Sequence, residues 1–421
     1  MIGKILLLSF FVGITTGFFI VFYALLTRGL SFLFFLGNPL ETIPLLPVWY
    51  VYLVPIVSIY IVNVLISKNS TVAEYGVTEI TEAVENNKLN FSMKDLFLKI
   101  FASALSLASG FAVGNEGPSA AIGAMIASKY HRLFKLPQKY IRTALSIGAS
   151  SGIASIFVSP VTGIVFAIET IAYDFVRNYA AYLITGSVLA FSIASYFLES
   201  LAFNYSTGKL LDYHYLLATL LFIPVIVFFI YLYLLLKDKI IFFLHKKLEK
   251  YFLKYKNIIL ALISGSLIAT LLLFHPYAGF YGHEVVKIFM NEKLSLPLWS
   301  IIIIIFLRIF ATIISLYANA VGGLFIPLMS IGALIGFGFG ELSNSFFIWQ
   351  IEPFYFAAIG AAVFMGVIMK LPLTAIVLAL ETTYDYNVIV PTGLSVVIVS
   401  YITSLHFDLR KTTLKNDDCS Q

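Results

Sequence analysis

Five long apolar runs constrain this chain more than any other feature. Ile5–Leu26, Val48–Ile66, Leu216–Leu236, Ile258–Leu273 and Leu298–Leu316 each approach or exceed the ~20 residues that cross a ~30 Å hydrocarbon core. A soluble domain covers its core with a polar shell in which about 25% of residues are charged. Here 12% are charged and 60% hydrophobic, so the material for that shell is missing. The first run follows Lys4. It is too long for a secretory leader and lacks a small-residue cleavage site, so it reads as a membrane helix. The basic residues cluster in three places: Lys129–Arg142, Lys237–Lys256 and the tail with Arg410, Lys411 and Lys415. By the positive-inside rule these face the cytoplasm. This places the chain in a plasma (inner) membrane with both termini cytoplasmic. The net charge of +5 is spent on orientation, and no nucleic-acid partner is expected.

The sequence also repeats itself. Phe97–Leu107, with Lys99, matches Phe306–Leu316, with Arg308. At the same offset, Gly114-Asn-Glu-Gly-Pro118 falls on Gly323-Leu-Phe-Ile-Pro327 and Ile122–Ala124 on Ile331–Ala333. After a short slip, Pro160–Thr170 falls on Pro372–Thr382. The matched segments are short and broken by Gly or Pro. Paired broken segments in two halves point to a substrate site where the halves meet. A helix that begins inside the membrane leaves unpaired N–H groups, each costing several kcal/mol in lipid, and carries about +0.5 of an elementary charge. Several such starts converging on one point bind an anion without a full positive charge.

Glu116 stands in this setting. Pro118 suits a first helical turn, and Gly114 and Gly117 let the backbone approach a ligand. A carboxylate in so apolar a stretch is costly unless paired, neutralised or functional. One reading makes it a helix cap. The other makes it a gate: ionised, it competes with the anion for the same N–H groups, and protonated, it lets go. Lys99 and Arg308 either snorkel to an interface or give the ion path a positive bias. Glu169 and Glu381 match each other, each near a helix end or paired with a helix N-terminus, and their symmetry favours a structural role. A cation or neutral-solute transporter would bring several acidic residues to the midplane, and only Glu116 is so placed. An intramembrane enzyme would need a constellation that His131, His214, His245, His275, His283 and His406, in loops or at span ends, do not supply. The single Cys419 excludes an internal disulfide. No enzyme activity, metal or cofactor is expected.

These residues resemble the CLC family of chloride channels and anion–proton antiporters. Gly114–Pro118 resembles its Gly-Arg/Lys-Glu-Gly-Pro signature, Gly323–Pro327 its Gly-x-Phe-x-Pro signature, and Pro160–Thr170 and Pro372–Thr382 its duplicated helix. The resemblance runs from about Val48 to Leu405. It implies an all-α polytopic fold of two inverted-topology repeats. These would be about 48–203 and 214–405, within a single transmembrane domain 1–406 followed by a short cytoplasmic tail 407–421. It also implies a homodimer in lipid, with one pathway per chain for small anions and protons. Glu116 falls on the external gating glutamate. Phe325, with the backbone of Leu324, Ile326, Asn115 and Gly117, falls on the anion site. Tyr75, in Glu74-Tyr-Gly-Val-Thr78, stands with Gly76 and Val77 where the family places a Ser. Phe407 stands nearest to the central tyrosine. Thr170, beside Glu169, aligns with the internal proton-transfer glutamate. Asn115 replaces a basic residue. Chloride, through a channel or an anion/proton antiporter, is the family default, and fluoride/proton antiport, in a branch with similar departures, is the alternative.

Overall fold

The computed structural model describes residues 2–73, 91–170, 176–200, 213–249, 256–291, 297–346 and 351–418. The apolar runs become α1 (Ile2–Phe35), α2 (Val48–Lys68), α8 (Tyr213–Glu249), α9 (Lys256–Phe274) and α11 (Leu298–Tyr317). Between them lie α3 (Met93–Ala108), α4 (Glu116–Leu133), α5 (Ile141–Phe157), α6 (Pro160–Thr170), α7 (Val176–Ala194) and α10 (His283–Asn291). The chain ends with α12 (Phe325–Phe346), α13 (Pro353–Met369), α14 (Pro372–Thr383) and α15 (Ile389–Asp418). Among the described residues seven helices are long and apolar enough to span a membrane. The last helix carries through Phe407 into the tail. The exposed positions on the long helices are largely Leu, Ile, Phe and Val, which lipid solvates as well as protein does.

Helices α4 and α5 pack closely, and so do α12 and α13. Glycine lets the backbones touch. A Cβ on Gly123 would lie 2.0 Å from the Gly148 carbonyl oxygen, and one on Gly148 2.1 Å from that of Gly123. In the second half a Cβ on Gly332 would lie 2.1 Å from the Gly360 oxygen, and one on Gly336 1.8 Å from that of Phe356. Small residues at close crossings are how membrane helices gain contact without a hydrophobic drive.

The halves interlock through reciprocal bonds. Ala112 N–H donates to Ser315 Oγ (2.8 Å) and Val321 N–H to Ser106 Oγ (3.0 Å). Gly114 and Gly323 exchange N–H···O bonds of 2.6 and 2.7 Å as an antiparallel bridge. Helices α6 and α14, of 11 and 12 residues, rise about 16–18 Å, too short to cross a ~30 Å hydrocarbon core. Each needs an internal cap, and each supplies the other's. Glu169 at the end of α6 accepts from Leu373 N (2.9 Å), Thr374 N (2.9 Å) and Thr374 Oγ1 (2.6 Å). Glu381 near the end of α14 accepts from Val161 N (3.1 Å), Thr162 N (2.6 Å), Thr162 Oγ1 (2.6 Å) and Ser159 Oγ. Equivalent segments that pair antiparallel are related by a two-fold axis across them, so the repeats are inverted. Because each carboxylate holds charge-assisted bonds at a helix start, Glu381→Ala should destabilise the protein by about 2–3 kcal/mol. Glu169→Ala should do the same. The thermal midpoint in detergent reads this, and unequal losses would contradict the symmetry.

Candidate functional site

The site forms where the two halves present equivalent helix starts. Glu116 opens α4 and Phe325 opens α12. The Gly114–Gly323 bridge ties the two segments entering them. Glu116 Oε1 accepts a 2.5 Å hydrogen bond from Phe325 N–H, at the positive end of the helix in the other repeat. Both bridge glycines make room for this. A Cβ on Gly114 would stand 2.0 Å from Oε2, and one on Gly323 2.2 Å from Oε1. Glu116 is 3% exposed, and its Oε2 has no hydrogen-bond partner. The carboxylate therefore rests on the start of α12 through few bonds.

The Phe325 side chain, equivalent in sequence to Glu116, turns the other way. Its ring packs 4.9 Å from Phe157 and 6.5 Å from Phe166, centroid to centroid. Ile326 is buried beside it and Leu324 is half-buried. Gly117 N–H lies at the same crossing, 3.0 Å from where a Gly323 Cβ would be. Asn115 precedes α4 with no side-chain cap bond, and its Oδ1 is buried without a partner. Gly323→Ala should push the carboxylate off Phe325 N–H. Anion flux at neutral pH should then rise toward the level of a chain lacking the carboxylate, measured as efflux from vesicles.

Lys99 and Arg308 do not snorkel. Both are fully buried. Lys99 Nζ donates to the Val72 and Ala73 carbonyls (3.2 and 2.7 Å). Arg308 Nη1 donates to those of Tyr277 and Gly279 (2.8 and 3.0 Å), Nη2 to that of Phe280 (3.5 Å) and Nε to Ser330 Oγ (2.7 Å). Each equivalent cation thus clamps a loop beside its repeat. The apolar surroundings at the sequence level cannot distinguish a side chain that reaches outward to headgroups from one that reaches inward to carbonyls. These four Arg308 bonds go to neutral oxygens, so among the described residues no carboxylate pairs with its charge.

Glu169 is absorbed by the α14 cap. N–H and O–H donors occupy its carboxylate, the arrangement its structural reading expects. Thr170 Oγ1 donates within its own helix to Phe166 O (2.6 Å). Tyr75, Gly76 and Val77 lie outside the described residues, as does the side chain of Phe407. The sequence did not single out Tyr23, fully buried on α1 with its hydroxyl 2.6 Å from Ser103 Oγ. A lone Tyr in an apolar span gives no signal. The sequence also missed a group of polar side chains beside Asn115: Arg28, Glu199, Tyr281 and His283 line a chamber with it.

Comparisons with known proteins bear on this arrangement. Residues 55–404 match the family profile described as voltage gated chloride channel. The chain is 27% identical over 370 residues to the H(+)/Cl(-) exchange transporter ClcA of Vibrio cholerae serotype O1 (strain M66-2), covering 82% of this chain and 75% of that one. It is 28% identical over 326 residues to ClcA of Citrobacter koseri, covering 75% and 67%. Its fold is similar to that of a slow cyanobacterial Cl−/H+ antiporter (TM-score 0.84, 21% identity, 99% of both chains). It also resembles a CLC-type fluoride/proton antiporter (TM-score 0.74, 19% identity, 95% of both chains).

Proposed function

The chain belongs to the voltage gated chloride channel family, and from that premise we propose that it exchanges chloride for protons across the membrane, as an antiporter and not an enzyme, with Glu116 as gate and proton carrier. One observation carries this reading: the Glu116 carboxylate sits on Phe325 N–H, where an anion would bind. An ionised carboxylate and an anion exclude each other there by charge and by donor count. Protonation removes the charge, weakens the bond to Phe325, and frees the donors for the anion. The proton then leaves on Glu116 as the anion moves on. Phe325, Ile326 and Gly117 supply N–H groups, and Asn115 borders the site. Arg308, buried and bonded to neutral oxygens, keeps the local potential positive at long range.

Two further features belong to this proposal. The chain acts as a homodimer in the inner membrane, with its basic loops and both ends cytoplasmic. Val161 and Leu373, on the exposed faces of α6 and α14, are 48% and 55% exposed. Helix α7 adds Ile184 and Val188, at 47% and 42%, to an apolar face that a second copy would cover. Fluoride is the second reading, favoured by the likeness to a fluoride/proton antiporter and by Thr170 in place of an internal carboxylate.

The test is efflux from reconstituted liposomes loaded with chloride or fluoride, with pH recorded in parallel. Chloride efflux with opposed proton movement is expected. Fluoride movement without chloride selects the second reading. No efflux above empty vesicles defeats both.

A further inference from the structure

Beside Asn115 lies a small chamber lined also by Thr27, Arg28, Glu199, Tyr281 and His283, with room of about 20 Å³ for a small particle. A space of that size holds about one water or ion. It adjoins a wider cleft of about 340 Å³ that shares Thr27, Arg28, Glu199, Tyr281 and His283 and adds Glu284 and Lys287. The chamber meets the chain at Asn115, the residue before Glu116. Two of its polar atoms are orphaned: Asn115 Oδ1 and His283 Nε2 are buried without partners. His283 is 8% exposed and opens α10. Buried polar atoms are rarely left unpaired, and a bound ion is one way to satisfy them.

The lining is rich in donors. The Arg28 guanidinium bonds the Tyr281 hydroxyl oxygen, which leaves that O–H free to donate. A neutral imidazole with its proton on Nε2 donates from that atom. The Asn115 carboxamide offers Nδ2 in one of its two orientations. The one carboxylate in the lining, Glu199, is held by Lys287; Glu284 lies in the wider cleft. We infer that the chamber between Asn115 and His283 is a second anion site, outside the one Glu116 occupies, which takes a single small inorganic anion stripped of part of its water. Arg28 supplies the charge, and His283, Tyr281 and Asn115 the directed donors. The Glu199–Lys287 pair lies at its outer side, and when Lys287 swings away the freed carboxylate repels the anion. The inference rests on the exchange reading, since only a transported anion gives the chamber a ligand.

Chloride flux against chloride concentration, varied on one side at a time in vesicles of a single protein orientation, tests this, with fluoride run in the same way. Arg28→Gln and His283→Ala should each raise the half-saturating concentration on the cleft side on the order of tenfold, the loss of one charge-assisted hydrogen bond. Maximal flux and half-saturation from the opposite side should hold, and His283→Gln should recover part of the loss. Variants that titrate like wild type from the cleft side, or that shift equally from both sides, overturn the site while leaving the exchange reading intact. Wild-type protein that moves neither anion defeats the exchange reading and this one with it. Arg28 is exposed, so its variant carries the test even if His283→Ala fails to fold.

Discussion

Glu116→Gln should abolish proton coupling while anion flux survives. The amide cannot ionise, and its Oε1 accepts from Phe325 N–H only as a neutral, weaker acceptor than the carboxylate. The anion then displaces the side chain at every pH. In wild type, flux should fall as pH rises, because deprotonation returns the carboxylate to that bond, with a limiting slope of about tenfold per pH unit for one titrating group. The variant should be flat over the same range and should move no protons against a chloride gradient. Parallel chloride and pH recordings on liposomes measure both quantities. Coupling that persists in the variant would mean that Glu116 only caps α12 and that protons take another route.

Gly148→Leu should yield no folded protein. A Cβ at this position already overlaps the Gly123 oxygen at 2.1 Å and the Gly123 carbonyl carbon at 2.5 Å. The obstacle is backbone, which cannot swing aside as a side chain can. Helices α4 and α5 would have to separate by ångströms, which moves the start of α4 and Glu116 with it. Overpacking in a dense core costs typically 1–3 kcal/mol, and a clash of two backbones lies beyond that. Gly29→Leu is the control, since nothing lies within 4 Å of its added Cβ. Size-exclusion chromatography after mild solubilisation should show a monodisperse peak for the control and aggregate for Gly148→Leu. A folded, active Gly148→Leu would contradict the close α4–α5 crossing.

Much of this architecture was legible because membrane folding writes it locally. The long runs, the Gly and Pro breaks and the doubled Pro160 and Pro372 segments each follow from hydrocarbon thickness and backbone satisfaction. That Glu169 and Glu381 match and could each pair with a helix N-terminus was visible, but not that each caps the other's helix. That depends on the inverted axis, which side-chain identity does not encode. Lys99 and Arg308 were legible as equivalent cations, while their destination among loop carbonyls was not. The candidate site was legible because it breaks the repeat: Glu116 stands where the other half has Phe325. The chamber of Arg28, Tyr281, His283 and Asn115 escaped notice because its members come from separate stretches of chain. Each alone is an ordinary polar residue near a helix end, and only tertiary packing assembles them.

The central claim is that the Glu116 carboxylate and the anion compete for the same backbone donors. The most direct measurement is proton uptake on anion binding. Purified protein in weakly buffered detergent solution is titrated with chloride, and separately with fluoride, while a pH electrode follows the solution. Binding should draw protons from solution, approaching about one per chain at pH values where Glu116 begins ionised, and Glu116→Gln should bind with no uptake. Anion binding to the wild type without proton uptake, or uptake that survives in Glu116→Gln, would contradict the account.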